Sequence, residues 1–296
     1  MNRCARWVLS IAVTAAVLLV TTGPAAAQPA RGSSVQPVYL ALGDSVAAGI
    51  GATSRASGYV GQLTGILRLE TACAPGLQRG SGADRAAGSC PQLQLVDLAE
   101  GGSTTHSMIN GDPGLQPQLG PATNLLVQRN SNANPRDDVR FVTVTIGGND
   151  VFGPVVNACI PVPGPQCGAT IADSLAAFQV NLDIILGALR EAAGPDTTIV
   201  ATAYANPLIG RGCGLAPFSG LGDVVLEGGP LLGGTLPAGL NTITEGVADR
   251  YRVLVADGFG RLGTDDFTGD CLHPDQSGYN IYTGIFADAI LRSATA

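Results

Sequence analysis

The sequence contains no lysine: all 16 of its basic residues are arginine, set against 23 acidic residues for a net charge of −7. That balance leaves no basic patch of the size a nucleic-acid partner demands. The missing lysine assigns no function, because a GC-rich genome produces the same bias. Histidine is nearly absent as well. With only His106 and His273, and no Cys-x-x-Cys pair among the seven cysteines, the common zinc frameworks are excluded. The Gly-x-Ser-x-Gly elbow of ordinary α/β-hydrolases does not occur. Beyond residue 27, no apolar run approaches the roughly 20 residues of a membrane span.

The first 27 residues do hold an apolar run, of another kind. Arg3 and Arg6 precede the stretch Trp7 to Val20, and Ala25, Ala26 and Ala27 follow it. A basic start, a short apolar stretch and a small-residue end read as a signal peptide cleaved after Ala27. Residues 28–296 are then expected to form one exported domain with no membrane anchor. Cleavage removes two arginines and no acid, so the mature chain is more acidic still. Cys4 lies upstream of the apolar run and cannot be a lipoprotein cysteine. The six other cysteines, in an exported chain, suggest three disulfides. Their grouping favours Cys73–Cys90, Cys159–Cys167 and Cys213–Cys271, the first two closing short Gly/Pro-rich loops.

Apolar runs bounded by turn residues predict strands at Val38–Leu42, Leu93–Leu98, Arg140–Ile146, Thr198–Ala203 and Arg252–Ala256. Between them, Ile171, Leu175, Phe178, Leu182, Ile185, Leu186 and Leu189 recur at helical spacing and predict a helix over Ile171–Ala193. Thr170 with Asp173 would cap its start, and Gly194-Pro195 would end it. Helices are also expected at Tyr59–Leu69, Asn241–Tyr251 and Gly278–Leu291. Phe152–Ala169 and Asn206–Ala238 show no period and read as long ordered loops. Strands alternating with helices predict a doubly wound α/β/α sandwich around a parallel, about five-stranded sheet.

Such a sheet gathers ligands at the carboxyl ends of its strands. Gly43-Asp44-Ser45 follows the first strand, Gly101-Gly102-Ser103 the second and Gly147-Gly148-Asn149-Asp150 the third. A serine nucleophile needs a base within hydrogen-bond reach, and His273, in Asp270-Cys271-Leu272-His273-Pro274, stands three residues after an acid able to orient it. His106 follows the second turn and reads as a solvated loop residue or a substrate contact. Asp44 and Asp150 read as turn organisers.

These blocks, in this order, resemble the SGNH hydrolases, or GDSL esterase/lipase family, over nearly the whole mature chain. Val46 replaces the usual leucine after the serine. The resemblance implies a flavodoxin-like fold, Ser45 as nucleophile, His273 as base, Asp270 as its acid, and an oxyanion hole made by Ser45, Gly102 and Asn149. Gly101 is the alternative to Gly102, and some relatives orient the histidine by a backbone carbonyl. The three-bridge spacing looks like that of exported actinobacterial lipases and esterases. The implied activity is metal-free and cofactor-free hydrolysis of acyl esters by a monomer, on a small-molecule or lipid ester. A phospholipase, an acyltransferase, a sugar O-deacetylase or a non-catalytic binding protein would use the same fold.

Overall fold

The computed structural model describes residues 36–71, 89–212, 214–231 and 234–293. The expected signal peptide lies outside these residues. The strands are β1 (Val38–Gly43), β2 (Gln94–Asp97), β3 (Val139–Thr145), β4 (Thr198–Ala203), β5 (Gly229–Leu231), β6 (Gly234–Leu236) and β7 (Leu254–Asp257). The α-helices are α1 (Tyr59–Glu70), α2 (Thr105–Asn110), α3 (Leu119–Asn130), α4 (Gly148–Cys159), α5 (Cys167–Ala193), α6 (Ser219–Glu227), α7 (Leu240–Arg250) and α8 (Gln276–Ser293).

Among the described residues, five strands pair in the order β2-β1-β3-β4-β7, and every pairing in that sheet is parallel. Central strands covered on both faces must be apolar throughout rather than alternating. Accordingly every residue of β1 is buried, whereas the edge strands β2 and β7 are partly exposed. The chain runs outward from β1 to β2, then returns to place β3 on the other side of β1. That reversal opens a crevice at the carboxyl ends of β1 and β3, where the seryl and asparaginyl turns stand.

The long helix was legible from its stripe: Ile171, Leu175, Phe178, Leu182, Ile185, Leu186 and Leu189 are all buried along α5. Its start differs from the expectation. α5 begins at Cys167, four residues early, and the Thr170–Asp173 box is not its cap, because Thr170 N–H already bonds Gln166 O inside the first turn. Its end is as expected, with Gly194 at φ 73°. Arg190 reinforces it by donating to the carbonyls of Gly194 and Thr197 at 2.8 and 2.9 Å.

Two expected loops carry regular structure. Phe152–Ala169 holds most of α4, in which Val151, Phe152, Val155 and Cys159 form a buried stripe that Gly153 and Pro154 obscure. Asn206–Ala238 contains two short 3₁₀ turns, α6 and the β5–β6 hairpin. α2 and α3 were not anticipated at all. The Cys159–Cys167 bridge is formed, with an S–S length of 2.07 Å, and joins the end of α4 to the start of α5. Only that bridge of the expected three has both cysteines among the described residues. Cys90 and Cys271 are disulfide-bonded, while Cys73 and Cys213 lie outside the described residues.

Candidate active site

The seryl turn begins at a glycine that no other residue can replace without strain. Gly43 has φ 150°, and a Cβ there would stand 2.3 Å from Thr145 O of the adjoining strand. This contact lets Asp44 N–H bond the same carbonyl at 2.9 Å and turns the chain sharply off β1. Ser45 follows at the crevice, largely buried. Asp44 points inward, its Oδ1 accepting Val46 N–H at 2.9 Å and its Oδ2 accepting the Tyr204 hydroxyl at 2.6 Å. Burial pushes the Asp44 carboxyl up to about 6, against the opposing effect of those bonds and of nearby His273.

The second turn leans on the first. A Cβ on Gly101 would lie 3.8 Å from Ser45 Cβ and collide with Ile50 Cδ1 at 2.6 Å, and Gly102 takes φ 87°. Among the described residues, no acceptor is found for the backbone N–H groups of Ser45, Gly101 or Gly102. N–H groups without acceptors are what an anion requires; of the three residues, Ser45 lines the cavity of the site.

Asn149 is the second residue of α4. Its Nδ2 donates to Ser103 O at 2.9 Å, which uses one of two amide protons and leaves the other. Gly147, at φ 121°, makes the tight turn from β3 into α4 where any side chain would strike Phe178. Asp150 accepts the Thr105 N–H at 3.0 Å and also the Thr105 hydroxyl, which ties α4 to α2. Burial raises the Asp150 carboxyl, partly offset by these bonds.

His273 stands in a loop closed by a bridge between Phe267 and Pro274 and by Thr268 N–H on His273 O at 2.9 Å. Its Nδ1 lies 2.6 Å from Asp270 Oδ2. Asp270 Oδ1 meanwhile accepts the Thr268 hydroxyl and the N–H groups of Leu272 and His273. Partial burial pushes the Asp270 carboxyl up, but these bonds outweigh it and hold the group well below the usual carboxylate range. The loop rests on the segment after Ser45, where Gly51 lies so close that a Cβ would stand 2.4 Å from Pro274 O.

Ser45, Asn149, Asp270 and His273 all line one cavity of about 430 Å³, together with Asp44, Tyr204 and apolar side chains of α4 and the neighbouring loops. Among the described residues no direct hydrogen bond joins Ser45 to His273; catalytic pairs of this kind commonly tighten only when substrate is bound. His106 sits apart, exposed on α2, with Asn110 Nδ2 3.4 Å from its Nδ1. No three metal-ligating side chains cluster among the described residues.

The sequence matches the family model of the GDSL-like lipase/acylhydrolase family over residues 41–281. The chain belongs to the GDSL-like lipase/acylhydrolase family. No curated protein sequence matches it. Of solved structures, the lipase Lip_vut3 from a goat rumen metagenome is similar in fold, with a TM-score of 0.51 at 16% identity over 86% of this chain and 97% of that one. The acetylxylan esterase Axe2 from Geobacillus stearothermophilus scores 0.49 at 13% identity, over 86% of this chain and 95% of that one. Membership in this GDSL-like family supports ester hydrolysis in general.

Two polar residues of the site escaped sequence reasoning. Gln118 gives no signal in a Pro/Gly-rich stretch, yet it is buried against the seryl turn: Oε1 accepts Gly43 N–H, and Nε2 donates to Gly43 O and to Ser103 Oγ. Tyr204 did leave a signal, since it directly follows β4 at the carboxyl edge of the sheet.

Proposed function

We propose that this GDSL-like hydrolase is an exported serine carboxylic-ester hydrolase that works through an acyl-enzyme. Ser45 Oγ attacks the ester carbonyl while His273 Nε2 takes its proton. Asp270, on the far ring nitrogen, fixes the tautomer and steadies the imidazolium. The oxygen of the tetrahedral intermediate is received by the N–H groups of Ser45 and Gly102 and by the free amide proton of Asn149; one such donor is worth about 3–4 kcal/mol of barrier. His273 then protonates the departing alcohol, and a water attacks the acyl-enzyme with His273 as base.

The observation that carries this reading is the 2.6 Å Asp270–His273 pair opening on the same cavity as Ser45 and Asn149. Unpaired donors beside Ser45 add to it. Export rests on the sequence pattern of residues 1–27, and its test is amino-terminal sequencing of the product released by a secreting host, expected to begin at Gln28. For the activity, the test is hydrolysis of p-nitrophenyl acetate by the folded protein and by Ser45→Ala. Turnover that vanishes in Ser45→Ala is expected; equal turnover in both would remove the serine from the mechanism.

A further inference from the structure

α4 starts at the oxyanion donor and continues as one wall of the cavity. Asn149, Phe152, Gly153, Val156 and, at the far end, the polar Asn157 line it, and their spacing of three, one, three and one residues puts them on a single face of the helix. At 1.5 Å of rise per residue, that face extends about 10 Å from Asn149 to Val156. Beyond Asn149 the face carries no charge. Leu215, Phe267 and Leu272 line the same cavity from the neighbouring loops.

The middle of this face is open. A Cβ built on Gly153 meets nothing within 4 Å, and the residue is solvent-exposed. Gly153 has a second reason to be glycine, because it precedes Pro154 inside a helix, where a side chain crowds the proline ring. The open space is a separate matter, since the relief of that crowding does not require the cavity to reach position 153.

We propose that the α4 face from Phe152 to Val156 is an acyl-chain channel and that Gly153 sets the length of chain it accepts. The proposal rests on the ester-hydrolase reading. The three substituents of the ester carbonyl carbon diverge, so with the carbonyl oxygen at the Asn149 end and the leaving oxygen facing His273 the acyl chain takes the third direction, and the apolar wall this cavity offers it is Phe152, Gly153 and Val156 of α4 with Leu215. A channel of this length and apolarity suits a medium-length fatty acyl group rather than an acetyl group. Acetyl esters use only the Ser45 end and do not reach Gly153.

The test is kcat/KM on p-nitrophenyl acetate and p-nitrophenyl octanoate for the full chain and three variants. Gly153→Leu fills the channel, Gly153→Ala imposes the pre-proline crowding with little added volume, and Val156→Phe narrows the far end without touching Pro154. Gly153→Leu and Val156→Phe are each expected to lower the octanoate-to-acetate ratio roughly tenfold or more, the scale at which pocket methylenes discriminate, while Gly153→Ala leaves the ratio within about twofold. Equal loss on both esters in the two bulky variants overturns the channel. So does an octanoate-to-acetate ratio that stays within about twofold of wild type in both bulky variants. Absence of acetate turnover and of phosphonate labelling in the wild type would instead sink the ester-hydrolase reading beneath it.

Discussion

Gln118 holds Gly43 by both of its backbone polar groups: Oε1 accepts the Gly43 N–H at 2.8 Å and Nε2 donates to the Gly43 carbonyl at 2.9 Å. The same Nε2 reaches Ser103 Oγ at 3.0 Å, and Ser103 O accepts the Asn149 amide at 2.9 Å. One buried side chain therefore sets the seryl turn against the turn that holds the Asn149 amide.

Gln118→Ala should act through position rather than chemistry. It leaves the Gly43 N–H buried and unpaired, at about 2 kcal/mol of stability, while Gly43 O keeps the Glu100 N–H at 3.0 Å, and it frees the two turns to separate. A shift of about 1 Å near reacting groups costs on the order of a hundredfold. The expected kinetic result is a kcat lower by one to two orders of magnitude with KM within a factor of about three. A thermal melt separates this from simple unfolding, because the variant retains a cooperative transition.

Asp44 makes stability depend on pH in a window set by its own titration. Its carboxyl is raised from 3.8 to about 6 in the folded state, so the folded chain holds the proton more tightly than the unfolded one. The contribution is fully present below about 4 and is lost as pH rises through about 6. A shift of that size corresponds to about 3 kcal/mol. Asp44→Asn keeps an acceptor for Val46 N–H and stays neutral throughout. Urea unfolding at pH 4 and pH 7 should show the variant gaining on the wild type by roughly that amount between the two; a constant difference would count against an ionising, buried Asp44.

Asp270 and a backbone carbonyl are the two ways of orienting His273, and the 2.6 Å contact favours the carboxylate. Asp270→Asn should lower kcat by roughly 10³–10⁴-fold, since an amide facing Nδ1 selects the wrong tautomer. Stability responds with the opposite sign to Asp44. A carboxyl depressed on folding contributes above its unfolded value and loses that contribution as pH falls below it. A drop of only a few fold, measured by initial rates at neutral pH, would show that Asp270 merely braces the loop.

The sheet was legible because its strands are short apolar runs bounded by turn residues, and α5 because seven apolar residues recur at helical spacing. Boundaries shifted where a local conformation intervened. β7 starts at Leu254 rather than Arg252 because Arg252 takes φ 52° in the turn out of α7. α4 was hidden because Gly153 and Pro154 look like loop residues, although each has a place on that helix. Ser45, Asn149, Asp270 and His273 were readable from the order of their blocks and the family resemblance those blocks carry, and the structure brings them to one cavity. Gln118 and Tyr204 were not assigned roles: each acts across more than 70 residues of chain, one on Gly43 and the other on Asp44, and no local pattern encodes such a contact.

The central claim is that Ser45 is the residue that takes the acyl group. Its most direct test is to treat the folded protein with a serine-directed phosphonate and map the adduct by peptide mass spectrometry. The expected result is one adduct per chain, on Ser45, with parallel loss of ester hydrolysis and no adduct in His273→Ala. An adduct on another serine, or full ester turnover by protein labelled at Ser45, would contradict the account.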